Sequence, residues 1–142
     1  MNGRNIASML VLLILTAGLA LTGCSSPSVY QLEAGDRSAS TEGEMIVSFD
    51  DNDNRFIEMN IAHLPPPSRL DEQMSTFVVW LQPKDSTVSY NMGQLQFEDD
   101  RTGKVKFTTP FDSFEVRVTA EAQPNVLAPS DHEVLYRGIG ME

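Results

Sequence analysis

From residue 45 onward, apolar side chains recur at every second position, the spacing that puts them on one face of an extended strand. In residues 56–64, Ile57, Met59 and Ile61 share one face while Glu58 and Asn60 share the other. Residues 114–121 alternate most fully: Phe114, Val116, Val118 and Ala120 point inward, and the polar set between them is expected to face water. A slip of one residue there would bury Glu and Arg. Residues 45–49 and 133–139 read as two further strands. Residues 94–98 and 104–108 both alternate, and Asp99-Asp100-Arg101-Thr102-Gly103 between them supplies turn residues, with Gly103 available for a positive φ. That pair reads as a hairpin. Phe77-Val78-Val79-Trp80-Leu81 is apolar at every position, which suits a central strand covered on both faces or packed beside a loop. Trp80 is expected to be buried there.

Seven short strands separated by turns over about 100 residues, with no long amphipathic helix, predict an all-β fold. The expected form is an antiparallel β-sandwich of immunoglobulin or fibronectin type; a small β-barrel is the alternative. Pro65-Pro66-Pro67 stiffens the crossing into the loop of residues 68–74. Breaker residues from Pro124 to Asp131 separate the last two strands.

The N-terminal region follows a different pattern. Arg4 is the only charged side chain in the first 32 residues, and it precedes an apolar run over residues 6–21. A membrane-spanning helix needs about 20 apolar residues, and this run is interrupted by Ser8, Thr16 and Gly18. The order of features is that of a secretory signal peptide. The run ends in Leu21-Thr22-Gly23-Cys24, which resembles the lipobox of bacterial lipoproteins. The resemblance implies that the Cys24 thiol takes a diacylglyceryl group, that the chain is cut just before it, and that the new amino terminus is acylated.

On this reading residues 1–23 are the signal peptide, residues 24–43 the lipidated N-terminus and a flexible tether, and residues 44–142 the folded domain. The tether assignment rests on a composition of mostly Ser, Thr, Glu, Ala, Gly and Asp, with Val29, Tyr30 and Leu32 as the only sizeable apolar residues. An edge strand over residues 29–32 is the alternative. Ser25 and Ser26 follow Cys24, where an Asp would hold an enterobacterial lipoprotein at the inner membrane. In a Gram-negative cell this favours the outer membrane, facing the periplasm; in a Gram-positive cell the distinction does not arise. The chain has a single Cys, so with Cys24 lipidated packing alone holds the domain.

A second resemblance covers residues 56–139. Phe77-Val78-Val79-Trp80-Leu81, Met92-Gly93-Gln94-Leu95, the strand Phe114-Glu115-Val116-Arg117-Val118-Thr119-Ala120-Glu121, and Pro129-Ser130 before Val134-Leu135 resemble the extracytoplasmic C-terminal domain of anti-sigma-K factor type regulators. Met92 stands where that family usually has Leu. The resemblance implies a sandwich and an envelope sensing or interaction module. The Cys/His zinc motif and spanning helix that precede this domain in those regulators have no counterpart in the sequence, so sigma-factor binding is not carried over.

Charge and candidate chemistry narrow the function. Ten Lys and Arg against 20 Asp and Glu give a net charge of -10, which argues against nucleic acid as a partner because phosphates are held by clustered cations. His63 and His132 are the two histidines, and adjacent strand residues such as Asp131 and His132 point to opposite faces. With no Gly-x-Ser-x-Gly elbow or comparable nucleophile setting, a non-enzymatic role without cofactor is expected. Asp50-Asp51-Asn52-Asp53-Asn54 lines up oxygen ligands, so Asp50, Asp51 and Asp53 are weak candidates for Ca²⁺. The stretch lacks the turn Gly and closing Glu of a calcium loop and reads better as an Asx-rich turn.

The expected function is therefore that of a membrane-anchored envelope lipoprotein, attached through lipid on Cys24, whose domain contacts another envelope protein or senses periplasmic state. The alternative is a module binding a small ligand or Ca²⁺ at residues 50–54 and 99–102.

Overall fold

The structure is a computed structural model that describes residues 25–141; the expected signal peptide and Cys24 lie outside the described residues. Nine strands make up the fold: β1 (Ser28–Ala34), β2 (Glu42–Phe49), β3 (Arg55–Ala62), β4 (Thr76–Pro83), β5 (Tyr90–Gln94), β6 (Gln96–Phe97), β7 (Gly103–Thr109), β8 (Phe114–Glu121) and β9 (Glu133–Ile139). Among the described residues the only helical pieces are the 3₁₀ turns Asp36–Ser38 and Pro67–Arg69. Every strand pairing is antiparallel.

The strands form one sheet in the order β5-β4-β8-β9-β1-β2-β3-β7-β6. Its two terminal strands are separated in sequence by Leu95 alone, so the sheet rolls back on itself into a nearly closed barrel. This corrects the expectation of a seven-strand sandwich. The two added strands are β1 and β5. β5 has no fully buried residue and therefore no apolar alternation to betray it. β1 lies in residues expected to be a tether. It is a strand, as the alternative for residues 29–32 had it, and is built into the sheet: Ser28–Leu32 pair with β2, and Glu33 and Ala34 pair with β9. Val29, Gln31 and Glu33 face outward, while Leu32 is buried and Tyr30 packs against the core.

The core follows the predicted alternation. Ile57, Met59 and Ile61 of β3 meet Phe77, Val79 and Leu81 of β4 and Phe114, Val116, Val118 and Ala120 of β8. The β6–β7 hairpin forms as expected, with Gln96 opposite Lys104 and Phe97 opposite Gly103. Its positive φ falls on Arg101 (65°) instead of Gly103. Gly103 is needed for a different reason, since a Cβ there would lie 2.6 Å from Leu95 Cδ2.

The outer face of β4 and β8 is covered too. Val78 and Trp80 are completely buried, as are Thr119 and Glu121, which the alternation had assigned to water. The loop of residues 122–132 accounts for this. Asn91 Nδ2 donates to the carbonyls of Pro124 (2.9 Å) and Val126 (3.1 Å), and the Ser130 N–H donates to Glu121 Oε1 (2.7 Å), holding the loop against this face.

The barrel is closed at one end and splayed at the other. The β1–β9 pairing and the β6–β7 pairing both lie at the end where β1 finishes. At the opposite end, where β1 begins, a cleft of about 540 Å³ between Tyr30 and residues 137–141 separates β1 from β9. β5 and β7 also face each other without pairing, and Met92, Gln94, Gln96, Val105 and Lys106 line the seam.

Candidate functional site

The splayed end is built from the start of β1, the turns of residues 50–54, 84–89 and 110–113, and the residues after β9. The first turn belongs to Asp50. Its Oδ1 accepts the N–H groups of Asn52 (2.8 Å) and Asn54 (2.9 Å), and its Oδ2 accepts Asn54 Nδ2 (3.1 Å). The Asn54 side-chain bond, aided by the two backbone donors, holds the Asp50 carboxyl below the usual carboxylate range. Both of its oxygens thus serve the turn itself. Asp51 and Asp53 are exposed, and Asp53 takes a positive φ of 62°. Among the described residues no group of three or more His, Cys, Asp or Glu is placed to hold a metal ion.

Beside this turn, Arg55 links two of the loops. Its guanidinium stands 4.6 Å over the Phe49 ring and contacts Asp112 at 3.2 Å. Tyr90, the first residue of β5, and Phe111, in the turn between β7 and β8, stack with ring centroids 6.1 Å apart and planes inclined by 25°. They line a shallow cleft of about 410 Å³ together with Pro83, Asp85 and Ser86. Both rings remain accessible, Tyr90 at 46% and Phe111 at 37%, and Val88 nearby is 54% exposed. These three residues were not singled out in the sequence. The available signal was the presence of large apolar residues inside turn-rich segments, Thr87-Val88-Ser89-Tyr90 and Pro110-Phe111-Asp112.

The other candidates are dispersed. His132 Nε2 lies 3.4 Å from Asp71 Oδ2, not from its neighbour Asp131, and its Nδ1 has no hydrogen-bond partner. The His63 backbone takes a positive φ of 58°, and its carbonyl accepts Arg101 Nη2 at 2.9 Å. Asp100, at the closed end, accepts the N–H (3.1 Å) and hydroxyl (2.5 Å) of Thr102, which lower its pKa. The structure does not bring residues 50–54 and 99–102 together, since they cap opposite ends of the barrel. No helix among the described residues is long and apolar enough to cross a membrane. Comparison with known proteins finds no matching family model and no matching curated protein.

Proposed function

We propose that this chain is a non-enzymatic envelope lipoprotein, anchored through lipid on Cys24, whose barrel-like domain serves protein contacts or sensing. In a Gram-negative cell its place is the outer membrane, facing the periplasm. The observation that carries the reading is the signal-peptide pattern ending in Leu21-Thr22-Gly23-Cys24, with Ser28 opening β1 only four residues later. Several acyl chains on one Cys give durable attachment, because each buried CH₂ contributes about 0.8 kcal/mol and two chains suffice.

The unpaired edges of β5 and β7 support the interaction role, because free strand edges present backbone donors and acceptors to an added strand. The resemblance of residues 56–139 to the extracytoplasmic domain of anti-sigma-K factor type regulators points the same way. The test is crosslinking in the native envelope followed by affinity capture, with Cys24→Ala as the mislocalised control. A specific envelope protein captured with the parent chain and lost with the variant is the expected result. Recovery of nothing specific, together with a melting temperature raised by Ca²⁺ or a metabolite, would replace the interaction role with ligand binding.

A further inference from the structure

We infer that the splayed end of the barrel lies against the bilayer that holds Cys24, with Val88, Tyr90 and Phe111 seated at the lipid headgroups. The inference rests on the lipid-anchored reading and adds an orientation to it. β1 begins at Ser28, so only Ser25, Ser26 and Pro27 separate it from Cys24. Fully extended, that leash spans at most about 14 Å. That is little more than the roughly 10–12 Å width of a single helix, so no domain of two packed layers fits between this end of the barrel and the anchor.

The same end carries most of the exposed large apolar side chains among the described residues: Val29, Phe49, Val88, Tyr90, Phe111 and Met141. Phe97 lies at the closed end, and Leu127 in the loop that Asn91 holds over the outer face of β4 and β8. Soluble domains seldom gather exposed apolar residues on one surface without something to cover them. A Tyr beside a Phe suits the interface, where the ring is buried and the hydroxyl stays wet.

Charge narrows the kind of lipid surface. Asp50, Asp51, Asp53, Asp85 and Asp112 outnumber Arg55, Lys84 and Arg137 at this end, so attraction to anionic headgroups does not supply the contact. Apolar contact does, and it is favoured on a bilayer of low negative charge. The short leash makes this contact intramolecular, so a small apolar patch is enough.

The test uses the full chain, processed in cells and reconstituted in vesicles of phosphatidylethanolamine with a minor fraction of phosphatidylglycerol. Val88→Cys, Phe111→Cys and Asp99→Cys, the last in the exposed β6–β7 turn at the closed end, each carry a nitroxide, and Trp80 emission checks that each variant is folded. Cys24 as a thioether takes no label. Collisions with oxygen, which concentrates in lipid, should exceed those with a water-soluble nickel complex at positions 88 and 111, and the order should invert at 99. Nickel access at 88 and 111 equal to that at 99 would overturn the inference. So would shielding of 88 and 111 from both reagents, which would mean a protein cover. If the parent chain takes up a nitroxide at Cys24, the anchored reading itself fails, which separates the two failures.

Discussion

The indole N–H of Trp80 donates to the hydroxyl of Thr119 on the neighbouring strand at 2.8 Å, and that hydroxyl in turn donates to Glu121 Oε1 at 2.6 Å. The Ser130 N–H reaches the same carboxylate oxygen. A buried polar chain thus joins β4, β8 and the loop of residues 122–132. Thr119→Val removes the hydroxyl while keeping the shape, leaving a buried indole donor unpaired and Glu121 with the Ser130 N–H but without its hydroxyl donor. The expected loss is about 1–3 kcal/mol, read as a lower denaturant midpoint. Thr119→Ser, which keeps the hydroxyl, should recover most of it.

Closure of the barrel at β1 depends on a glycine. The Gly35 N–H donates to the Val134 carbonyl at 2.8 Å, and a Cβ on Gly35 would stand 2.6 Å from the Glu133 carbonyl oxygen. That neighbour is backbone and cannot swing aside. Gly35→Ala should therefore push β1 off β9 and cost about 1–3 kcal/mol. Amide hydrogen exchange should accelerate first in β1 and β9, and a variant with unchanged exchange there would contradict this account of closure.

On the outer face of the same junction, Tyr136 donates its hydroxyl to Glu33 Oε2 at 2.5 Å. This hydrogen bond, with the negative charge of Glu33, raises the Tyr136 pKa above its ordinary value near 10. A pKa raised on folding means a contribution fully present below the unfolded value and lost as pH rises through the folded one. The difference in denaturant midpoint between the parent chain and Tyr136→Phe should hold steady from neutral pH to about 10 and then shrink. In an absorbance titration, Tyr136→Phe should remove a late-ionising component from the three tyrosines.

Asp50 behaves in the opposite sense. Its carboxyl is held below the ordinary value of 3.8 by its turn, so its contribution is present above that value and lost as pH falls through the folded one. Asp50→Asn should lower the denaturant midpoint slightly at neutral pH, and the difference should vanish in strong acid. The effect is small because the group is exposed and screened. Ca²⁺ shifting the midpoint of the parent chain but not of Asp50→Asn would show that the turn binds cation.

How far the sequence could be read depended on burial. β8 and β9 fall on the expected residues because one face of each packs into the core, and Phe114 through Ala120 record that face without a break. β5 carries no such record, since Tyr90, Asn91 and Gln94 are exposed. β1 was hidden because only Tyr30 and Leu32 mark its inner face within a polar stretch, although its first five residues pair with β2 and its last two with β9. Thr119 and Glu121 escaped because alternation reports which face a residue occupies, not whether a distant loop covers that face. The reading of Cys24 rests on local sequence alone and lies outside the described residues. The apolar end was not legible, because Val88 and Phe111 sit in turns, Tyr90 opens a strand without apolar alternation, and the three meet only when antiparallel strands bring their ends together.

The central claim is the lipid on Cys24, and mass spectrometry of the N-terminal peptide from the membrane-extracted protein tests it most directly. The account predicts a peptide that begins at Cys24 and carries a diacylglyceryl group and an acylated amine. A peptide that retains residues before Cys24, or one with an unmodified Cys24 thiol, would contradict it.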